Sequence, residues 1–68
     1  MRTNLKLFRV KKNLTQEEMS QKIGYSRKGY ACIENGLRDG RARFWNSLKA
    51  AFDLQNSEVL ELTKNDEQ

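Results

Sequence analysis

Residues 16–35 read QEEMSQKIGYSRKGYACIEN, and this stretch dictates how the rest of the chain must pack. Met19 and Ile23 stand four apart and Tyr30 and Ile33 three apart, the spacings of neighbours on one helix face. Between the two pairs lies Gly24, a residue free to take the left-handed backbone that ends a helix. Ser26 offers a hydroxyl to cap a new helix, and Asn35-Gly36 closes that helix after about nine residues. Ser20 is small where the second element must approach the first. The spacing therefore predicts two short helices locked at one angle across a tight turn.

Just upstream, Thr15-Gln16-Glu17-Glu18 is a capping box, in which the Thr15 hydroxyl and the Glu18 carboxylate each satisfy the other's amide, and Leu14 can staple onto Met19. Before it, Leu5, Phe8 and Lys12 share a stripe with Leu7 beside it. This predicts a helix over about 4–12, ended by Asn13. Downstream, Leu37–Arg43 reads as a polar loop. Phe44, Trp45, Leu48, Ala51 and Phe52 then form the stripe of a fourth helix that breaks near Asp53. Asn56 or Ser57 can cap a fifth helix carrying Val59, Leu60 and Leu62. The chain has no proline, linker or repeat, so the expectation is all-α: five helices in one domain over 1–68, with a core at about 4–62 and a frayed acidic and polar tail over 63–68.

Composition narrows the function. The 68 residues are 37% hydrophobic, enough for a small core, which in a domain of this size supplies only about 3–5 kcal/mol. With no histidine and Cys32 as the only cysteine, no intrachain disulfide, Cys/His zinc site or convincing catalytic arrangement can be built. Neither an enzyme nor a cofactor-binding protein is expected. No apolar run exceeds four residues, so a cytoplasmic protein is expected. The net charge of +4 conceals a division: residues 1–52 hold twelve Lys/Arg against four Asp/Glu, and residues 53–68 hold one against five. A basic body suits a polyanion, although composition alone supports a solvated surface equally well. Position decides. With Tyr30 and Ile33 committed inward, the third helix shows Arg27, Lys28, Ala31, Cys32 and Asn35 outward.

The LTQEE run at 14–18, the I-G-x-S-R run from Ile23 to Arg27, the IENG run at 33–36, Arg38, and the F-W-x-x-L pattern of Phe44, Trp45 and Leu48 together resemble the phage lambda repressor and Cro, or XRE, family of helix-turn-helix domains. The resemblance covers about residues 4–62. It implies a compact five-helix lambda-repressor-like fold and a sequence-specific, double-stranded DNA-binding transcriptional regulator of bacterial or phage type. Such a protein would act as a repressor on a palindromic operator, as a homodimer. It further implies that Arg27, Lys28 and Cys32 read bases in the major groove, while Gln16, Ser26, Asn35, Arg38 and Arg41 hold the DNA backbone, with Arg43 a weaker candidate. Arg9 and Glu34 would form a structural, partly buried salt bridge. The dimer surface would use Leu54, Val59, Leu60 and Leu62. Gly40 stands where many members of the family have proline, which implies a loop that DNA orders. Tyr25 replaces a usual aliphatic residue.

Plainer readings stand beside these. Cys32 is read as a groove-facing spacer rather than a redox switch. The helical spacing of Phe44, Trp45 and Phe52 points to core rather than to a base-stacking platform. Tyr30 is read as core with its hydroxyl in reach of a phosphate, and Lys6, Lys11, Lys12 and Lys22 as solvated charges. No small-molecule effector is expected. The alternatives are an antitoxin or restriction-modification controller with the same fold, and a protein-interaction module that has lost DNA binding.

Overall fold

Capping chemistry sets where the helices begin. In the computed structural model, which describes residues 1–66, α1 spans Thr3–Lys11, α2 Gln16–Ile23, α3 Arg27–Glu34, α4 Ala42–Phe52 and α5 Asn56–Thr63. The Glu18 amide donates to Thr15 Oγ1 at 3.1 Å, and the Thr15 amide donates to the Glu18 carboxylate at 2.9 Å. The reciprocal cap expected from the sequence therefore starts α2. Gly24 ends it in left-handed backbone with φ of +76°. The Gly29 amide then donates to Ser26 Oγ at 3.0 Å, so α3 begins almost at once.

Three boundaries differ from expectation. Helix α1 starts and stops one residue earlier than the 4–12 span, and Asn13 follows in left-handed backbone with φ of +60°. Helix α4 starts two residues before Phe44, because Ala42 and Arg43 are good helix formers and extend the pattern without joining the apolar stripe. Helix α5 is preceded not by Asn56 or Ser57 but by Gln55, whose amide donates to the Glu58 carboxylate at 2.7 Å. The Asn56 side chain instead accepts a hydrogen bond from Lys49.

The core forms where the stripes converge. Leu5, Met19, Tyr30, Phe44 and Leu48 are fully buried, with Ile23, Ile33 and Leu62 nearly so. Helix α2 packs on α3 and α4, while α1 packs on α5 and α3. Ser20 is buried with its hydroxyl donating to the Glu17 carbonyl at 2.7 Å, which lets the neighbouring helix approach closely. Phe44 is the centre of an aromatic group: the rings of Tyr25 and Trp45 meet it edge-on at 5.1 and 4.8 Å between centroids. Such pairs add about 0.5–1.5 kcal/mol each beyond their buried area. Tyr25 therefore replaces an aliphatic residue at a position where an aromatic partner awaits it. Phe8 and Phe52 form a second edge-on pair at 5.1 Å, and the Lys12 ammonium lies over both rings at 5.3 and 5.8 Å. Lys12 is thus not the purely solvated charge expected of it.

The segment after α5 also departs from expectation. The Asp66 amide donates to the Met1 carbonyl at 2.7 Å and the Asn65 side chain to the Gly36 carbonyl at 3.4 Å. Residues 64–66 are therefore tied to the rest of the molecule rather than frayed; 67–68, the remainder of the expected tail, lie outside the described residues.

The turn between α2 and α3 tolerates little change in backbone preference. A Cβ added at Gly24 meets no atom within 4 Å, so only its positive φ opposes a side chain. Gly24→Ala is expected to cost about 1–2 kcal/mol, a fall in Tm of roughly 4–8 °C per kcal/mol for a domain of this size. Thermal unfolding followed by circular dichroism checks it.

Candidate nucleic-acid interface

Helix α3 is divided lengthwise. Tyr30, Ile33 and Glu34 are buried, while Arg27, Lys28 and Asn35 are exposed and Ala31 and Cys32 half-buried. An eight-residue helix with three committed side chains has its rotation fixed. The cations at its first turn consequently stand in solvent, and neither forms an ion pair among the described residues. The N-terminal turns of α2 and α3 meet in a depression lined by Arg9, Thr15, Gln16, Glu17 and Arg27. This brings Gln16 and Arg27 together at the end of α2 where free amides favour an anion.

What holds the two helices in this relation is a buried carboxylate. Glu34, at the end of α3, is 1% exposed. Its Oε2 takes hydrogen bonds from Arg9 Nε at 2.8 Å and from the Tyr30 hydroxyl at 2.7 Å. Its Oε1 takes them from Gln16 Nε2 at 2.9 Å and from Arg9 Nη2 at 3.3 Å. Arg9 Nη1 also donates to the Leu14 carbonyl at 2.8 Å. One carboxylate thus joins α1, α2 and α3. Burial alone pushes the Glu34 carboxyl up, but the hydrogen bonds from Arg9, Tyr30 and Gln16 outweigh it and leave it below the ordinary value. The hydrogen bond to Glu34 raises the Arg9 guanidinium, and burial raises the Tyr30 hydroxyl well above its usual range.

Two expectations change here. The Tyr30 hydroxyl does not extend to a phosphate, because it donates to Glu34. Gln16 is not wholly free for the DNA backbone either, since its amide spends one hydrogen on the same carboxylate and keeps the other. The physical reason is common to both: a buried carboxylate draws in every donor within reach.

The second group of candidates lies after α3. Gly36 turns the chain with φ of +81°, and the Gly36 and Leu37 amides close onto the Ile33 and Cys32 carbonyls at 3.1 and 2.9 Å. Arg38 and Arg41 are exposed, as is Arg43 at the start of α4. The three rim a groove whose floor is Tyr25, Ile33 and Phe44. The loop is not loose before a ligand arrives: Gly40, with φ of +70°, receives the Trp45 indole N–H on its carbonyl at 3.2 Å. Proline, with φ fixed near −65°, does not fit that backbone. Arg2, which sequence reasoning passed over, is also tied to this loop; it is 4% exposed and donates to the Arg38 and Asp39 carbonyls at 2.8 and 3.1 Å. Its partners there are main-chain atoms, which leave no mark in a sequence.

The residues assigned to a dimer surface separate. Leu62 is buried in the core, and Leu54 and Val59 are half-buried, whereas Leu60 is 66% exposed. Leu54 packs against the protein's own core as well.

Residues 5–39 match the helix-turn-helix family model. An uncharacterized HTH-type transcriptional regulator of Methanocaldococcus jannaschii is 41% identical over 54 residues, which cover 79% of this chain and 73% of that protein. Another, of Archaeoglobus fulgidus, is 37% identical over 54 residues, covering 79% of this chain and 68% of that protein. Both relatives are archaeal, so they lend no support to a specifically bacterial or phage setting. No solved structure matches the chain at comparable significance.

The Glu34 cluster yields a test by pH. The unfolded carboxyl titrates near 4.5 and the native one lower, so the native state is stabilised above the unfolded value and loses that stabilisation as pH falls through the native one. Glu34→Gln, which leaves the Arg9 charge unpaired, is expected to cost about 3–5 kcal/mol at neutral pH. Denaturant melts from pH 7 downward are expected to show the gap to wild type narrowing below the ordinary carboxylate range; a gap independent of pH contradicts this.

Proposed function

The chain belongs to the XRE-type helix-turn-helix family of transcriptional regulators, and on that premise we propose that it binds double-stranded DNA sequence-specifically, as a homodimer on a palindromic operator, with α3 in the major groove. The observation that carries this reading is the division of α3. Its inner side is immobilised by Tyr30, Ile33 and Glu34, and its outer side presents Arg27 and Lys28 without ion-pair partners among the described residues. A guanidinium pairs in bidentate fashion with guanine O6 and N7, and an ammonium can bind the same edge, so a half-site containing guanine is expected. Cys32, half-buried on the same helix, adds a small side chain at the groove. Ser26, Asn35, Arg38 and Arg41 hold the backbone on either side, with the remaining hydrogen of the Gln16 amide as a further donor.

One recognition helix makes few base contacts, which is the argument for two copies on half-sites about one helical turn apart. The dimer surface is centred on Leu60, the residue of the assigned four that offers substantial exposed apolar area. A bound dimer occludes its operator, so the output is repression. No catalysis, cofactor or small-molecule effector enters this reading. Among the described residues no helix is long and apolar enough to cross a membrane, and access to DNA places the protein in the cytoplasm.

Two measurements test the assignment of roles. Arg27→Ala and Lys28→Ala are expected to alter sequence preference, with about 1–3 kcal/mol lost at the affected base pair for a bidentate contact. Arg38→Ala is expected to weaken all duplexes alike and lower the salt slope by about one. Gel shifts on operator variants across a salt series separate these outcomes; equal losses on every sequence for all three variants contradict the assignment, and weak, salt-insensitive binding by the wild type favours a protein-interaction module. For the second, Leu60→Glu is expected to lower self-association in sedimentation with Tm kept within about 2–4 °C, since surface changes shift stability by at most about 0.5 kcal/mol. Unchanged self-association removes Leu60 from the dimer surface.

A further inference from the structure

Arg2 occupies an unfavourable place for a cation. It precedes the first turn of α1, where the helix dipole presents its positive end. It is nevertheless 4% exposed and has no carboxylate partner among the described residues. Its guanidinium is satisfied instead by four main-chain carbonyls. Nη1 donates to Ile33 at 2.7 Å and to Arg38 at 2.8 Å, Nη2 to Asp39 at 3.1 Å, and Nε to Thr63 at 3.0 Å. Ile33 and Thr63 lie at the C-terminal ends of α3 and α5, so two negative helix ends converge on the one positive charge. The guanidinium carbon lies 5.6 Å from the centroid of the Trp45 ring, whose own N–H holds the Gly40 carbonyl.

The carbonyls of Arg38, Asp39 and Gly40 are therefore gripped from inside the molecule. Arg38 and Arg41, both exposed, line the groove that Tyr25, Ile33 and Phe44 also line. A loop with this many free carbonyls has many conformations in water; here three successive ones are fixed. The Arg2 amide also donates to the Glu34 carbonyl at 2.7 Å, which places the clamp directly against the end of α3.

We propose that Arg2, backed by Trp45, is the positioning residue of the loop that presents Arg38 and Arg41 to the DNA sugar-phosphate backbone, and that it ties this loop to the ends of α3 and α5. The proposal rests on the DNA-binding reading above. Arg2 touches no DNA; it removes conformational freedom that the loop must otherwise lose on binding. Only a guanidinium has donors enough, in one plane, to serve four carbonyls.

The test uses the full chain as wild type, Arg2→Met, Arg2→Lys and Trp45→Phe, with two readouts. Without DNA, exchange of the Gly36, Leu37 and Arg38 amides, which donate to the Ile33 and Cys32 carbonyls, is expected to rise about tenfold or more in Arg2→Met relative to the amides of α2 and α3, as local opening replaces a fixed loop. With DNA, binding is expected to weaken about tenfold on operator and random duplex alike and the salt slope to fall by about one to two, the signature of lost phosphate contacts. Arg38→Ala should then cost less in the Arg2→Met background than in wild type, because the two act through one loop. Arg2→Lys is expected to fall between. If Arg2→Met does not fold, Trp45→Phe, which frees the Gly40 carbonyl, decides by the same readouts. Unchanged loop exchange, a loss confined to the operator, or additive losses overturn the proposal. Wild type that binds no duplex at any salt overturns the DNA-binding reading instead, and the exchange measurement still shows whether Arg2 holds the loop.

Discussion

The Glu34 carboxylate lies where α1, α2 and α3 meet, shut off from water and yet charged. A carboxylate in that position is stable only when donors surround it, and each donor comes from a different part of the chain. Arg9 brings the end of α1, Gln16 the start of α2, and Tyr30 the middle of α3. Moving any of these helices strands a buried charge. Apolar packing of Met19, Ile23, Tyr30 and Ile33 tolerates small rotations, whereas a set of hydrogen bonds to two oxygen atoms does not. The orientation of α3, and with it the direction in which Arg27 and Lys28 project, follows from this one group.

A second polar centre lies beside the first, at the same C-terminal end of α3. Arg2 and Trp45 hold the loop carbonyls as Glu34 holds the side-chain donors, with the signs reversed: a buried cation among acceptors rather than a buried anion among donors. Together the two centres anchor the C-terminal end of an eight-residue helix that has little propensity to stand alone. The charge division of the chain fits this arrangement. The basic body supplies exposed cations at the start of α3 and along the loop, and the acidic residues gather toward α5, where Glu58 and Glu61 are exposed near Leu60.

Most of the fold was legible because it rests on local signals. The Thr15–Glu18 cap, Gly24, Ser26 and the stripe of Phe44 and Leu48 each act within a few residues, and periodicity shows them directly. The pairing of Arg9 with Glu34 lies beyond local pattern and was accessible only through family resemblance. Gln16 and Tyr30 joining the same carboxylate, and Arg2 reaching four carbonyls, were not accessible at all. A long-range hydrogen bond to main chain carries no residue code, and an arginine before a first helix looks like any solvated charge. The burial of Leu62 was hidden for a related reason: Val59, Leu60 and Leu62 read alike as apolar, but only their angle around α5 decides which faces the core.

In the proposed complex α3 reads DNA bases as one half of a symmetric pair. Selection of bound sequences from random double-stranded DNA by the purified chain tests it most directly. The expected result is a palindrome with guanine in each half-site and half-site centres about 34–36 Å apart, one helical turn. Recovery of sequences with no shared motif, or of a single unpaired half-site, would contradict it.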